Sequence, residues 1–291
     1  MKKIVSAIAA ISIISTSLLA ADAKTNAISN NAVAKAEQQA QQNQGNQIIK
    51  EAVEAIKYTQ EALMYLNSNN PKKALEALKN AAGQLAVVLN TPNPPYLLPV
   101  DMQVVAYQFQ GKLEDIKKMA REAKKLVEEN RFPQARAILN TLRDEIVIKT
   151  INLPLATYPA AVNLAIKYIN EGKIKEAKEV LQMALSTLVE VDTIIPIPLV
   201  KAQALVAKAA EIVKKDKKEA IKYLEEAKYQ LKLAEVLGYT SKSSTTYKML
   251  REEIDKLEKE IKANHKTGGL FEELLQKLKE FKEKAITHIS K

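Results

Sequence analysis

The sequence predicts an all-α protein made of helical-hairpin repeats, four copies in all, that form a bundle or short solenoid with a C-terminal helical hairpin. Three observations carry that expectation. The first is an apolar pattern anchored on Ala74, Ala135, Ala177 and Ala220. Four residues on, every copy has leucine (Leu78, Leu139, Leu181, Leu224), and eleven on it is apolar again (Leu85, Ile146, Leu188, Leu231). Eight residues before the anchors stand Leu66, Val127, Ile169 and Ile212, with a polar, turn-prone stretch between. Offsets of four, seven and eleven keep side chains on one helical stripe, so each copy reads as helix, turn and helix sharing an apolar seam. The second observation is spacing: 42 residues separate Ala135 from Ala177 and 43 separate Ala177 from Ala220, close to tetratricopeptide-like repeats. Ala74 and Ala135 are 61 apart, leaving room for about one further helix. The third is composition, with 7 glycines, no tryptophan and 47% hydrophobic residues, a helical and alanine-rich balance.

The elements follow in order. Residues 1–23 read as a signal peptide: Lys2 and Lys3, an apolar run from Ile4 to Leu19, then Ala21-Asp22-Ala23 as the exit site. Cleavage near Ala23 would give a periplasmic protein, with retention of the run as an anchor as the alternative. Residues 24–47, rich in Ala, Gln and Asn, read as a flexible leader. The repeat domain is expected over 48–240. Its short turns are Asn69-Asn70-Pro71, Asn130 to Pro133, Glu171-Gly172-Lys173 and Lys215-Asp216-Lys217. Pro92, Pro154 and Pro196, and Tyr239 after Gly238, follow the anchors by 18 or 19 residues and are expected to end each second helix. The proline-bearing connections should then share one end of the bundle and the short turns the other, with no sheet of consequence. Residues 241–291 form the C-terminal hairpin. Ser243 to Thr246 supply caps, and Leu250, Ile254, Leu257 and Ile261 form an a/d seam. Gly268-Gly269 breaks the chain, and Leu274, Leu278, Phe281 and Ala285, widened by Phe271 and Leu275, repeat the stripe.

Composition also excludes chemistry. Without cysteine there is no disulfide, thiolate nucleophile, iron–sulfur ligand or lipid-modified cysteine anchor. The two histidines, His265 and His288, have no ligand partner at helical spacing, and no phosphate-binding, dinucleotide, zinc-protease or nucleophile-elbow motif is present. No enzyme activity, metal or cofactor is expected. The net charge of +10 falls to +9 once Lys2, Lys3 and Asp22 are removed with the signal. Only 5 of the 44 basic residues are arginine, and the lysines interleave with glutamates as on a solvated helix face. Nucleic acid is therefore not an expected partner. Beyond the first residues no segment has eighteen consecutive apolar residues, so no stable membrane insertion is expected after signal removal.

Binding, if it occurs, is expected at the connections 90–101, 151–160, 192–198 and 238–243. Prolines stiffen these loops, and tyrosines offer apolar area with a polar tip. The candidate ligand or partner contacts are Tyr96, Asp101, Tyr158, Asp192 and Tyr239. Helix capping is the plainer reading of the two aspartates, and core packing that of the tyrosines. Two functions remain: a module binding a peptide, a client protein or a small amphipathic ligand, or a structural protein that forms homo-oligomers and docks an envelope partner.

Seven segments carry a family resemblance: NSNNPKKALEALKNA (67–81), PPYLLPVD (94–101), INLPLATYPAAVNLA (151–165), DTIIPIPLVKAQ (192–203), AEVLGYTSKS (234–243), YKMLREEIDKLEKEIK (247–262) and GLFEELLQKLKEFKEK (269–284). In this order, with these loops, the chain resembles the YfdX family from about residue 48 onward. The resemblance implies an exported, periplasmic helical protein linked to envelope, acid and drug stress, often oligomeric, with no established catalytic residues.

Overall fold

The computed structural model describes residues 23–45 and 47–290, and the protein is mostly helical. In chain order the elements are α1 (Ala23–Gly45), α2 (Lys50–Asn67), α3 (Pro71–Leu89), β1 (Leu97–Tyr107), α4 (Leu113–Glu128), α5 (Phe132–Thr141), β2 (Glu145–Pro154), α6 (Tyr158–Asn170) and α7 (Ile174–Ser186). Then come β3 (Val189–Pro196), α8 (Ile197–Ile212), α9 (Lys217–Val236), α10 (Tyr247–Lys262), α11 (Gly268–Ala285) and β4 (Thr287–Ser290).

The all-α expectation is corrected by a four-stranded antiparallel sheet in the order β1-β2-β3-β4. Its strands occupy much of the chain expected to be helix ends and loops. The physical reason is local. Glu145–Pro154 and Val189–Pro196 are dense in Ile, Val and Thr, whose branched side chains suit a pleated surface. Ile146 and Leu188, taken as the far end of a helical stripe, lie in β2 and just before β3, because α5 and α7 have already ended. Pro154 and Pro196 end strands, not helices. Strands therefore stand between the hairpins, where the proline-bearing connections were expected to be loops.

The expected signal peptide lies outside the described residues, apart from Ala23. The leader expected to be flexible is helix α1. Thr25, Ser29, Val33 and Ala40 are its buried residues, spaced four, four and seven on one stripe. Because three of these four are small, the stripe is hidden in a polar, low-complexity composition.

The packing divides the chain into two compact units. One holds the described residues up to 38, together with 105–147 and 194–287. Its core joins α8 and α9 to α10 and α11, so Leu250, Ile254, Leu257 and Ile261 pack with Leu224, Leu231, Leu274, Leu278 and Phe281. Tyr247 and Phe281 meet edge to face at 4.7 Å. The glycines expected to break the chain are the first two residues of α11.

The other unit holds the described residues of 39–104, 148–193 and 288–290. Here two hairpins face each other, α3 against α6 and α2 against α7. Leu66, Leu78, Leu85, Tyr158, Ile169 and Leu181 are buried in the seam.

Three of the short turns share one geometry. Asn69 (φ 52°), Asn130 (φ 58°) and Gly172 (φ 74°) each take a left-handed conformation five residues before the anchor alanine. The next N–H closes back on the helix: Asn70 to Tyr65 C=O, Arg131 to Leu126 C=O and Lys173 to Tyr168 C=O, each 2.8 Å. That is the six-to-one bond of a Schellman helix end. All four anchors are buried, as are Leu78, Leu181 and Leu224. Leu139 breaks the expectation at 49% exposed, and Val127 joins it at 45%.

Candidate functional site

The five residues expected to bind do not converge. Tyr96 precedes β1 and is 88% exposed, with its C=O accepting from Leu155 N–H at 2.9 Å. Asp101 lies exposed within β1, its carboxylate accepting from Met102 N–H at 2.8 Å. Asp192 is buried in β3, so neither aspartate caps a helix. Tyr158 opens α6 fully buried, and burial pushes its phenol up to about 12 against the opposing influence of the Thr59 hydroxyl. Those four belong to one unit and Tyr239 to the other.

Tyr239 instead belongs to a buried polar centre that sequence reasoning missed. Its hydroxyl donates to Glu145 Oε2 at 2.9 Å and accepts from Asp144 N–H at 3.0 Å. Its C=O accepts from the Tyr247 hydroxyl at 2.7 Å. Arg143 Nε donates to Glu145 Oε1 at 2.6 Å, and its guanidinium lies 3.6 Å from the centre of the Tyr107 ring. Asp144 C=O accepts from Ile197 N–H at 3.0 Å, tying the start of β2 to the start of α8. Burial raises the Asp144 carboxyl to about 6, opposed by the charge of Lys201 and a hydrogen bond from the Phe109 backbone. Burial also raises the Tyr239 hydroxyl, reinforced by the Glu145 charge. Arg143-Asp144-Glu145, charged residues set directly before a β-branched run, are the signal that could have located this centre. Arg143, Glu145 and Tyr239 engage one another as a clamp would, while Asp144 Oδ1 is buried beside them without a hydrogen-bond partner.

Two apolar features could receive a ligand. A shallow cleft of about 230 Å³ is lined by Ala82, Leu85, Ala86 and Leu89 of α3 with Pro159 and Asn163 of α6. The α4–α5 hairpin exposes Val127 (45%), Phe132 (54%) and Leu139 (49%). Two of these, Val127 and Leu139, stand where the α2–α3 and α6–α7 hairpins bury Leu66, Leu78, Ile169 and Leu181. Among the described residues no group of three His, Cys, Asp or Glu side chains is placed to hold a metal ion, and no helix is long and apolar enough to cross a membrane.

Comparison with known proteins adds the lineage. The family profile described as YfdX protein matches residues 55–194, from α2 into β3. Comparison with curated proteins gives no match. A solved structure of YfdX from Salmonella Typhi is similar over 52% of this chain and 93% of its own, at 15% identity and a TM-score of 0.36. Over residues 55–194, which span the α2–α3, α4–α5 and α6–α7 hairpins, the chain matches the YfdX family.

Proposed function

We propose that this protein is a non-enzymatic periplasmic binding module that takes a protein or peptide partner on the apolar face of α4–α5. The observation that carries the proposal is the exposure of Val127, Phe132 and Leu139 on a hairpin whose counterparts bury the same stripe. Exposed apolar side chains gathered on one element favour docking of a complementary surface. A second copy of the chain is the alternative occupant of this face. The mutual engagement of Arg143, Glu145 and Tyr239 supports a structural role for the polar centre and so a function without catalysis. Export through residues 1–23 is part of the proposal, and N-terminal sequencing from an envelope fraction should begin at Lys24 or a few residues before it.

The test uses a thermally unfolding substrate protein as probe, with its aggregation followed by light scattering. The native chain should suppress aggregation, and Val127→Asp with Leu139→Asp should remove that effect while circular dichroism stays unchanged. A variant as protective as the native chain would overturn the assignment of the face. The cleft between α3 and α6 favours a second reading, a small amphipathic ligand. Ala86→Trp, which fills that cleft, should abolish uptake of a fluorescent fatty acid if that reading holds.

A further inference from the structure

We infer that the partner taken by the α4–α5 face is acidic, an amphipathic helical segment whose carboxylates lie among its apolar side chains. The inference rests on the proposal above for where binding occurs and adds what is bound. α5 contains one ionisable residue, Arg136. It stands four residues after Phe132 and three before Leu139, so the three share one side of the helix. On α4, Lys124 stands three residues before Val127 in the same way. Along their own helices, no acidic residue lies three or four positions from Val127, Phe132 or Leu139. Glu128 and Glu129, at the turn, are held by Lys124 and Lys125 at 3.8 Å and by Arg131 at 3.2 Å. Among the described residues Arg136 makes no ion pair or hydrogen bond.

The covered hairpin shows what these positions hold when the chain fills them itself. Lys124 and Arg136 lie eleven residues before and one after the anchor Ala135. At the same offsets from Ala74 stand Leu63 and Leu75, both packed against the core of their unit. The α4–α5 hairpin thus keeps two apolar positions of the stripe and carries a cation at two others. A core would leave those charges unpaired, whereas a surface that brings anions matches them. An anionic bilayer fits poorly. Helices lying in a membrane interface segregate apolar from basic side chains, but Arg136 sits between Phe132 and Leu139 and would be carried toward the acyl region with them. A second copy presenting the same face would set Lys124 and Arg136 against their own counterparts, and like charges oppose association. An acidic helix avoids both costs. Phe132 and Leu139 are two turns apart, about 10.5 Å along the axis. Apolar side chains at i and i+7 of a partner helix, with carboxylates at i+3 and i+4, match that pattern.

The probes are a fluorescein-labelled acetyl-(Leu-Ala-Ala-Glu-Glu-Ala-Ala)2-Leu-amide and its counterpart with lysine in place of every glutamate. In anisotropy at low ionic strength the acidic peptide should bind at least about tenfold more tightly, and added salt should shrink that advantage. Arg136→Glu has no contact to lose and should remove most of the preference, while Arg136→Lys, which keeps the charge, should retain it. Circular dichroism checks that both variants keep the fold. Equal binding of the two peptides, with both weakened by Val127→Asp with Leu139→Asp, would overturn the acidic preference and leave the face standing. Binding of the acidic peptide that this double variant does not weaken would overturn both. No binding of the acidic peptide would overturn the inference alone, since the aggregation assay judges the face separately. Co-sedimentation with phosphatidylglycerol vesicles that Arg136→Glu abolishes would overturn it in favour of a lipid surface.

Discussion

The α2–α3 and α4–α5 hairpins have the same turn and the same apolar spacing, yet one is buried along its seam and the other leaves Val127 and Leu139 exposed. Asn69 and Asn130 adopt the same left-handed conformation with the same closing bond. Beyond the turn they diverge. α3 runs 19 residues against 10 for α5, and α2–α3 has α6–α7 to pack upon. The α4–α5 hairpin instead runs into the polar centre at Arg143, Asp144 and Glu145. Periodicity therefore reports which side of a helix is apolar, while coverage depends on a partner elsewhere in the chain. The part of an apolar stripe left exposed, here Val127 and Leu139, is a surface available for association.

The sharpest way to break the comparison is to truncate equivalent leucines. Leu78→Ala or Leu181→Ala should cost about 2–5 kcal/mol, the range for a buried leucine. Leu139→Ala should stay within about 0.5 kcal/mol, as for an ordinary surface change. Urea unfolding of the three variants decides it, and equal losses would show that Leu139 is covered in solution.

The next effect separates an apolar seam from a polar anchor by acid. The Asp144 carboxyl is raised from 3.8 to about 6, so its charged form is disfavoured in the folded state. As pH falls from 7 toward 4, the folded protein takes up this proton before the unfolded chain does, and stability rises. The gain is bounded at about 3 kcal/mol and is complete below the unfolded value. Asp144→Asn should flatten that part of the pH profile in thermal melts. A Leu78→Ala background should leave its shape unchanged.

Tyr239→Phe tests the same anchor more gently. It leaves the Asp144 N–H and a Glu145 oxygen without their hydroxyl partner, a loss of about 1–3 kcal/mol. Hydrogen exchange should quicken at Asp144. Smallest is the turn itself. Asn69→Ala and Asn130→Ala should each cost about 1 kcal/mol, because alanine meets the same left-handed strain in both. Equal losses there, beside unequal losses at Leu78 and Leu139, would isolate coverage as the difference.

Much of the helical content was legible because hairpin turns and 3.6-residue stripes are local signals. Ala74, Ala177 and Ala220 mark their seams correctly. The strands escaped because Ile146 and Leu188 happen to fall in phase with a helix, and Pro154 ends a strand as readily as a helix. Helix α1 escaped because its buried stripe is mostly Thr, Ser and Ala. Of the candidate site, Tyr239 was singled out for its loop position, and its role became visible only with Glu145, 94 residues away. The exposed face of α4–α5 was beyond reach, since nothing within Leu113–Thr141 says that no other hairpin covers it.

Helical hairpins set between antiparallel strands have a kinetic consequence. Between β1 and β2 lie 37 residues, and between β2 and β3 lie 34. Closing a flexible loop of that length costs entropy that grows with the logarithm of its length. A helical hairpin folds back on itself through local contacts, and its two ends emerge side by side. Once α4–α5 or α6–α7 has formed, the strands it joins are already near neighbours, and pairing costs little more than closing a short turn. Sheet formation should then follow hairpin formation closely in refolding, with amide protection in β2 lagging that in α6 and α7 by a single short phase.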